Sequence, residues 1–196
     1  MKNPLDSLGQ TILCGVILAV ILGLLVNALN INYNWWAFLF RWLHVLSGVM
    51  WIGLLWYFNF VQTPTMPKIP ADQRPTIVKF ILPAALFWFR WAALSTVVTG
   101  LILAWLNGYV VDALALGFID GVPRDRAIGV GMWLGLIMAF NVWFIIWPNQ
   151  QKVMGLIEVS AEERPKAARK AGLTSRLNTL LSIPMLYMMI SAQNLF

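Results

Sequence analysis

Residues 35–61 read WWAFLFRWLHVLSGVMWIGLLWYFNFV, and this stretch decides the fold. It is long enough and apolar enough to cross a bilayer, which takes about 20 residues of helix. Yet it carries Arg41 and His44, and His44 is the only histidine in the chain. An ionisable side chain inside a membrane span costs a few kcal/mol and by default marks a functional site. A histidine there can ligate a metal or haem iron, or pass protons near neutral pH.

The whole chain has the same character. Of its 196 residues, 60% are hydrophobic and only 11% charged, far fewer charges than soluble domains carry. The expected fold class is all-α: a polytopic transmembrane helical bundle forming a single membrane domain over 1–196. Five spans are predicted, at about 12–29, 36–61, 81–106, 127–148 and 177–195. The first is long for a signal peptide and is expected to stay as an anchor. Several of the eleven tryptophans, including Trp35, Trp36, Trp105 and Trp147, fall near span ends, as in an interfacial aromatic belt.

Loop charges predict the orientation. With the N-terminus cytoplasmic, the inner side holds Lys2, Lys68, Arg74, Lys79, Lys152, Arg164, Lys166, Arg169, Lys170 and Arg176, while the outer side holds Arg124 and Arg126. That asymmetry follows the positive-inside rule and puts the C-terminus outside. The expected location is a bacterial inner membrane, crossed several times. Basic loops account for the net charge of +6, so no nucleic-acid partner is implied.

Other chemistries are excluded. The single cysteine, Cys14, allows no disulfide framework and no cysteine zinc site. There is no C-x-x-C-H haem-attachment motif, no glycine-rich phosphate loop after a strand, and no credible Ser-His-Asp set. Two loops suggest short structure. Residues 109–119 read as a short surface helix. Residues 158–172 read as a helix, with Ser160 and Glu163 resembling a capping box and Gly172 a stop, although Pro165 opposes a start at Ser160.

At helical spacing Arg41, His44, Gly48, Trp51, Leu55, Asn59 and Gln62 share one face. Gly48 leaves room one turn beyond His44. A helix lining a cofactor or polar cavity needs such a face. His44 lies about 12 Å along the helix from its outer start, in the outer half of the membrane. Three readings stay open: His44 as a haem or metal ligand, His44 as a proton or substrate contact without metal, or His44 bonded to a neighbouring helix with Arg41 snorkelling to the headgroups. Arg90 is placed near mid-membrane with no acid inside any span, so it calls for an anion, carbonyls or water. Asn141, Asn149 and Asn178 read as amides bonding between helices. Gly131, Gly135 and Ala139 line one face of the fourth span, and Ala92, Thr96 and Gly100 one face of the third; both read as close packing surfaces.

The stretches from His44 to Gln62, from Asn141 to Lys152 and from Asn178 to Met185 together resemble the membrane domain of the bacterial cytochrome c-type urate oxidases (urate hydroxylases). The likeness runs from about Trp42 to Met189. More distantly, Leu43-His44, Trp51-Ile52-Gly53, Arg176-Leu177-Asn178 and Pro184 are similar to a pattern of the membrane-bound protoporphyrinogen oxidases that carry haem b. The resemblance implies His44 as a haem b ligand, with Arg41, Arg90, Gly48 and Trp51 around the cofactor. Asn59, Gln62 and Asn141 are the candidate substrate contacts. The urate oxidases carry a C-terminal cytochrome c domain that has no counterpart here. Electrons would therefore pass to a separate cytochrome c or to quinone, and the second axial ligand would be Met, water or a residue of another chain.

Two functions remain from these readings. One is a membrane redox enzyme oxidising a small anion such as urate, which arginines suit. The other is a non-catalytic integral subunit of a larger respiratory, photosynthetic or oxygenase complex, or of a homo-oligomer. An anion transporter is a weaker third, since no inverted repeat is visible.

Overall fold

The computed structural model describes residues 3–26 and 28–196, so Lys2 of the expected inner charge set lies outside the described residues. Among the described residues there are helices and no strands. They fall into two compact units that divide at Leu39 and Phe40.

In the first unit, α1 spans Leu8–Leu25. Asn3 caps a preceding turn by accepting from Leu5 N–H, and Thr11 Oγ1 donates to Ser7 O at 3.0 Å. No residue of α1 is buried, and its leucines, isoleucines and valines face outward all round.

The second unit, Phe40–Phe196, holds the core. It contains most of α2 (Tyr33–Trp56), with α3 (Leu82–Leu106), the short α4 (Val110–Leu114), α5 (Pro123–Phe140), α6 (Trp147–Met154) and the long α7 (Glu163–Asn194). The most extensive pairing is α5 against α7. Trp51 and Leu55 of α2, Phe89 of α3 and Met138 of α5 are fully buried in one cluster, joined by Val142 just beyond α5. Many other large apolar side chains, among them Val45, Val49, Phe87, Trp88, Leu180 and Ile183, face outward. Soluble monomers rarely expose so much contiguous apolar surface.

Three helical stretches widen into a π turn: Tyr57–Gln62 after α2, Ile77–Ile81 before α3, and Asn141–Ile146 between α5 and α6. Each ends two residues before a proline: Pro64, Pro83 and Pro148. A proline has no N–H for the carbonyl four residues back, and its ring clashes with that carbonyl. Phe60, Lys79 and Phe144 hold those positions, each inside the π segment. The wider turn relieves the clash, and the helix continues through the proline instead of breaking. With these turns included, helical runs of Leu8–Leu25, Tyr33–Lys68, Arg74–Leu106 and Pro123–Met154 are long and apolar enough to cross a membrane.

Two expectations change. The helix read at 158–172 does not end at Gly172. It starts at Glu163 and runs unbroken to Asn194, so the charged segment and the predicted fifth span are one element. Gly172 sits inside the helix and does not adopt the left-handed backbone conformation of a glycine stop. Ser160 Oγ does accept from Glu163 N–H at 3.2 Å, so the capping signal was real. Pro165 is tolerated because it falls in the first turn, where its missing N–H has no partner to lose. By composition α7 is more polar than the four runs above, because Glu163, Arg164, Lys166, Arg169, Lys170 and Arg176 fall in its first half and Thr179, Ser182, Ser191, Gln193 and Asn194 in its second.

The small-residue faces pack as their spacing suggests. Gly131, Gly135 and Ala139 are all buried, and a Cβ on Gly131 would press on Met189 of α7 at 3.2 Å. Nearby, a Cβ on Gly129 would run into the backbone carbonyl of Ala113. Backbone cannot yield as a side-chain tip does, so Gly129→Ala is expected to destabilise the protein by about 1–3 kcal/mol. Gly135→Ala, with open space at its Cβ, should be neutral. Thermal unfolding of both variants in detergent checks the pair.

Candidate functional site

His44 is positioned by α3. Its Nδ1 lies 2.8 Å from the backbone carbonyl of Thr96. A carbonyl only accepts, so Nδ1 carries the proton and donates, and Nε2 is left with its lone pair. The ring lies against Gly100: a Cβ there would sit 2.7 Å from its Cε1 and 2.9 Å from Nδ1. The face of Ala92, Thr96 and Gly100 is therefore both a packing surface and a cradle for the imidazole. Gly48 faces the same strip, with Thr96 Cγ2 3.9 Å from where its Cβ would be.

The remaining residues of the polar stripe do not gather around His44. Arg41 is exposed, and its charge acts on Tyr109, beyond the end of α3. Tyr109 is buried beneath Arg124, whose guanidinium lies 5.5 Å from the ring centroid. Arg124 Nε in turn donates to Asp125 Oδ1 at 2.9 Å. Trp51 is in the apolar core with 1% of its surface exposed, and its indole N–H has no acceptor. Asn59 lies about 22 Å along the helix from His44 at 1.5 Å per residue. Its amide donates to Leu55 O and, at 2.8 Å, to Ser175 Oγ of α7. Gln62 is half-buried with Oε1 unpartnered.

Asn141 and Asn178 form a buried amide pair. Asn141 Nδ2 donates to Asn178 Oδ1 at 2.8 Å, and Asn178 Nδ2 donates to Met138 O at 2.9 Å. Close by on α7, Ser182 Oγ accepts from the Trp56 indole at 3.1 Å and donates to Thr179 O. Asn141 and Asn59 both sit in π turns, and both are bonded to α7.

Arg90 faces away from His44. Thr96 lies about 9 Å further along α3 and about 120° around it. The Arg90 guanidinium instead stacks on Trp147, with Cζ 3.8 Å from the ring centroid, and is flanked by Trp143 at 5.1 Å and Trp91 at 5.9 Å. That register sets Arg90 level with the start of α6, where the polar run Asn149 to Lys152 begins.

Thr96, Gly100, Ser175, Tyr109, Trp143 and Trp147 complete these arrangements. Of these, Thr96 and Gly100 carried a sequence signal through their one-turn spacing with Ala92, and Trp147 one only as a span-end tryptophan. Among the described residues no cluster of three His, Cys, Asp or Glu could hold a metal ion. The bond to Thr96 O leaves Nε2 of His44 as the acceptor, the state a ligating histidine adopts when its other nitrogen donates to a carbonyl.

A family model for the urate oxidase N-terminal region matches residues 122–195. The match covers α5, α6 and α7 with the Asn141–Asn178 pair, and His44 lies outside it. No curated protein and no solved structure matches the chain.

Two outcomes follow. Removing Asn178 leaves the buried Asn141 amide without that acceptor, and removing Asn141 leaves the buried Asn178 Oδ1 without that donor. Asn178→Ala and Asn141→Ala should each destabilise by about 1 kcal/mol, with the double variant losing less than the sum. A double-mutant cycle on unfolding midpoints measures this. At Tyr109, burial raises the pKa, Arg41 and Arg124 oppose the shift, and Asp125 adds to it. A raised pKa in the folded state means the neutral phenol stabilises fully below the ordinary tyrosine value of about 10, and that contribution fades as pH climbs through the folded value. Unfolding curves of wild type and Tyr109→Phe should therefore diverge with pH only above about 10, the unfolded-state value.

Proposed function

We propose that this chain is a multi-pass membrane protein of the bacterial inner membrane that acts as a urate oxidase-like redox protein with haem b at His44. In this reading α7 supplies a fifth span beside the four apolar runs, the N-terminus is cytoplasmic and the C-terminus is outside. The observation that carries the proposal is the 2.8 Å bond from His44 Nδ1 to Thr96 O. It fixes the tautomer and aims the free nitrogen of the one histidine from within an apolar span. The family match at residues 122–195 supports the urate oxidase link for the C-terminal part of the chain.

Bound there, a haem would supply one-electron transfer. The chain's own residues do the rest. Thr96 O holds the imidazole proton and raises the basicity of Nε2. Gly100 leaves room for the Cε1–Nδ1 edge of the ring against α3, and Trp51 and Leu55 keep the neighbouring turns of α2 dry. The substrate would be a small anion such as urate, and electrons would leave to a separate cytochrome c or quinone.

A second reading, a non-catalytic subunit of a larger membrane complex or a homo-oligomer, is favoured by a different observation. Asn59, Asn141 and Asn178 are each bonded to another helix and do not converge on one pocket.

A visible spectrum separates the two. The redox reading expects a Soret band in the purified protein, lost in His44→Ala and weakened or shifted in Gly100→Ala, where the added methyl displaces the ring. A colourless wild-type preparation from haem-replete cells would end that reading and leave the subunit.

A further inference from the structure

Three indoles surround Arg90 without meeting all its needs. Their faces attract the positive charge, but a ring face is no in-plane acceptor for the guanidinium N–H groups. Arg90 Nε is buried with no hydrogen-bond partner. The indole N–H of Trp143, in the wall of the same cage, is also buried without one. No carboxylate reaches Arg90; among the described residues the ion pairs are Arg124 with Asp125 and Lys152 with Glu163. Gln150, one turn beyond Trp147, has its own buried and unpartnered Oε1, so it does not bond Arg90 either.

The cage therefore offers one positive charge and two N–H donors and holds no acceptor. Buried donors in native proteins are nearly always satisfied. A metal cation or a pure donor is the wrong complement, and an anionic oxygen is the right one. We propose that Arg90, Trp143 and Trp147 form an anion-binding site, distinct from the His44 position, for a ligand that accepts from Arg90 Nε and Trp143 Nε1 while lying against the Trp147 indole. Two sources carry that chemistry: the phosphate of an anionic lipid, and a free planar anion. Choosing urate as the free probe rests on the redox reading; the site itself does not.

The test uses the full-length protein. Binding of labelled urate is measured by equilibrium dialysis in neutral detergent. Retention of phosphatidylglycerol is measured by native mass spectrometry after nanodiscs of phosphatidylcholine with and without that lipid. Wild type should bind at least one probe saturably. Arg90→Gln should weaken that binding at least about tenfold, the loss expected for a charge-assisted bond. Trp143→Phe keeps the ring and removes only the donor, and should weaken it several-fold. Arg164→Gln, on the exposed start of α7, is the control and should match wild type. Urate binding identifies a free-anion site, and lipid retention alone identifies a headgroup site. Binding of neither probe, or binding indifferent to both cage variants, overturns the proposal. Should Arg90→Gln fail to fold, Trp143→Phe decides alone. A colourless protein that still binds through Arg90 would reject the haem and keep this site.

Discussion

The contact between His44 and the carbonyl of Thr96 is the polar constraint that ties α2 to α3. A helical carbonyl has two lone pairs, so Thr96 O can serve its own helix and still accept the imidazole proton. Thr99 Oγ1 also leans on it at 3.3 Å. The bond needs close approach of α2 and α3, and Gly100 and Gly48 permit it by having no side chain in the way. Without that approach the one histidine would be an unpaired polar group in an apolar span. With it, the ring has a single orientation.

A second set of constraints lies toward the other end, where α7 acts as the common partner. Ser175, Asn178 and Ser182 bond to Asn59, Asn141 and Trp56 from two different helices. Both asparagines sit in π turns set up by a downstream proline. One extra residue per turn rotates the side chains that follow, so the proline that disturbs the backbone also helps turn an amide toward α7. Polar bonding of this kind supplies specificity where the hydrophobic effect between helices is weak.

Much of the framework was legible in the sequence, because apolar runs of span length have few alternatives. The candidate site was legible only in pieces. The stripe on α2 was read as one face, and geometrically it is one, but a face about 30 Å long meets different neighbours at each level. Spacing reveals which residues share a side and says nothing of what stands opposite. For that reason Arg41, Trp51 and Asn59 were grouped with His44 and turn out to have separate surroundings. Arg90 was expected to need an anion at mid-membrane. Its indole cage and its level with Trp147 depend on how α3 and α6 slide past each other, which no local pattern encodes. The π turns had a signal, a proline inside an otherwise continuous apolar helix, although proline more often ends a helix than widens it.

The last helix runs without interruption from the basic arm at Arg164 to Asn194, a rod of about 48 Å at 1.5 Å per residue. Its near end is packed through the buried Ala167 and Ala171, and the half-exposed Lys152–Glu163 contact adds little to that. A stiff rod packed along its length moves as one body. Tilting the basic arm would carry the rows of serine and asparagine with it, and Pro184, which removes one helical hydrogen bond, is a point where it could flex instead.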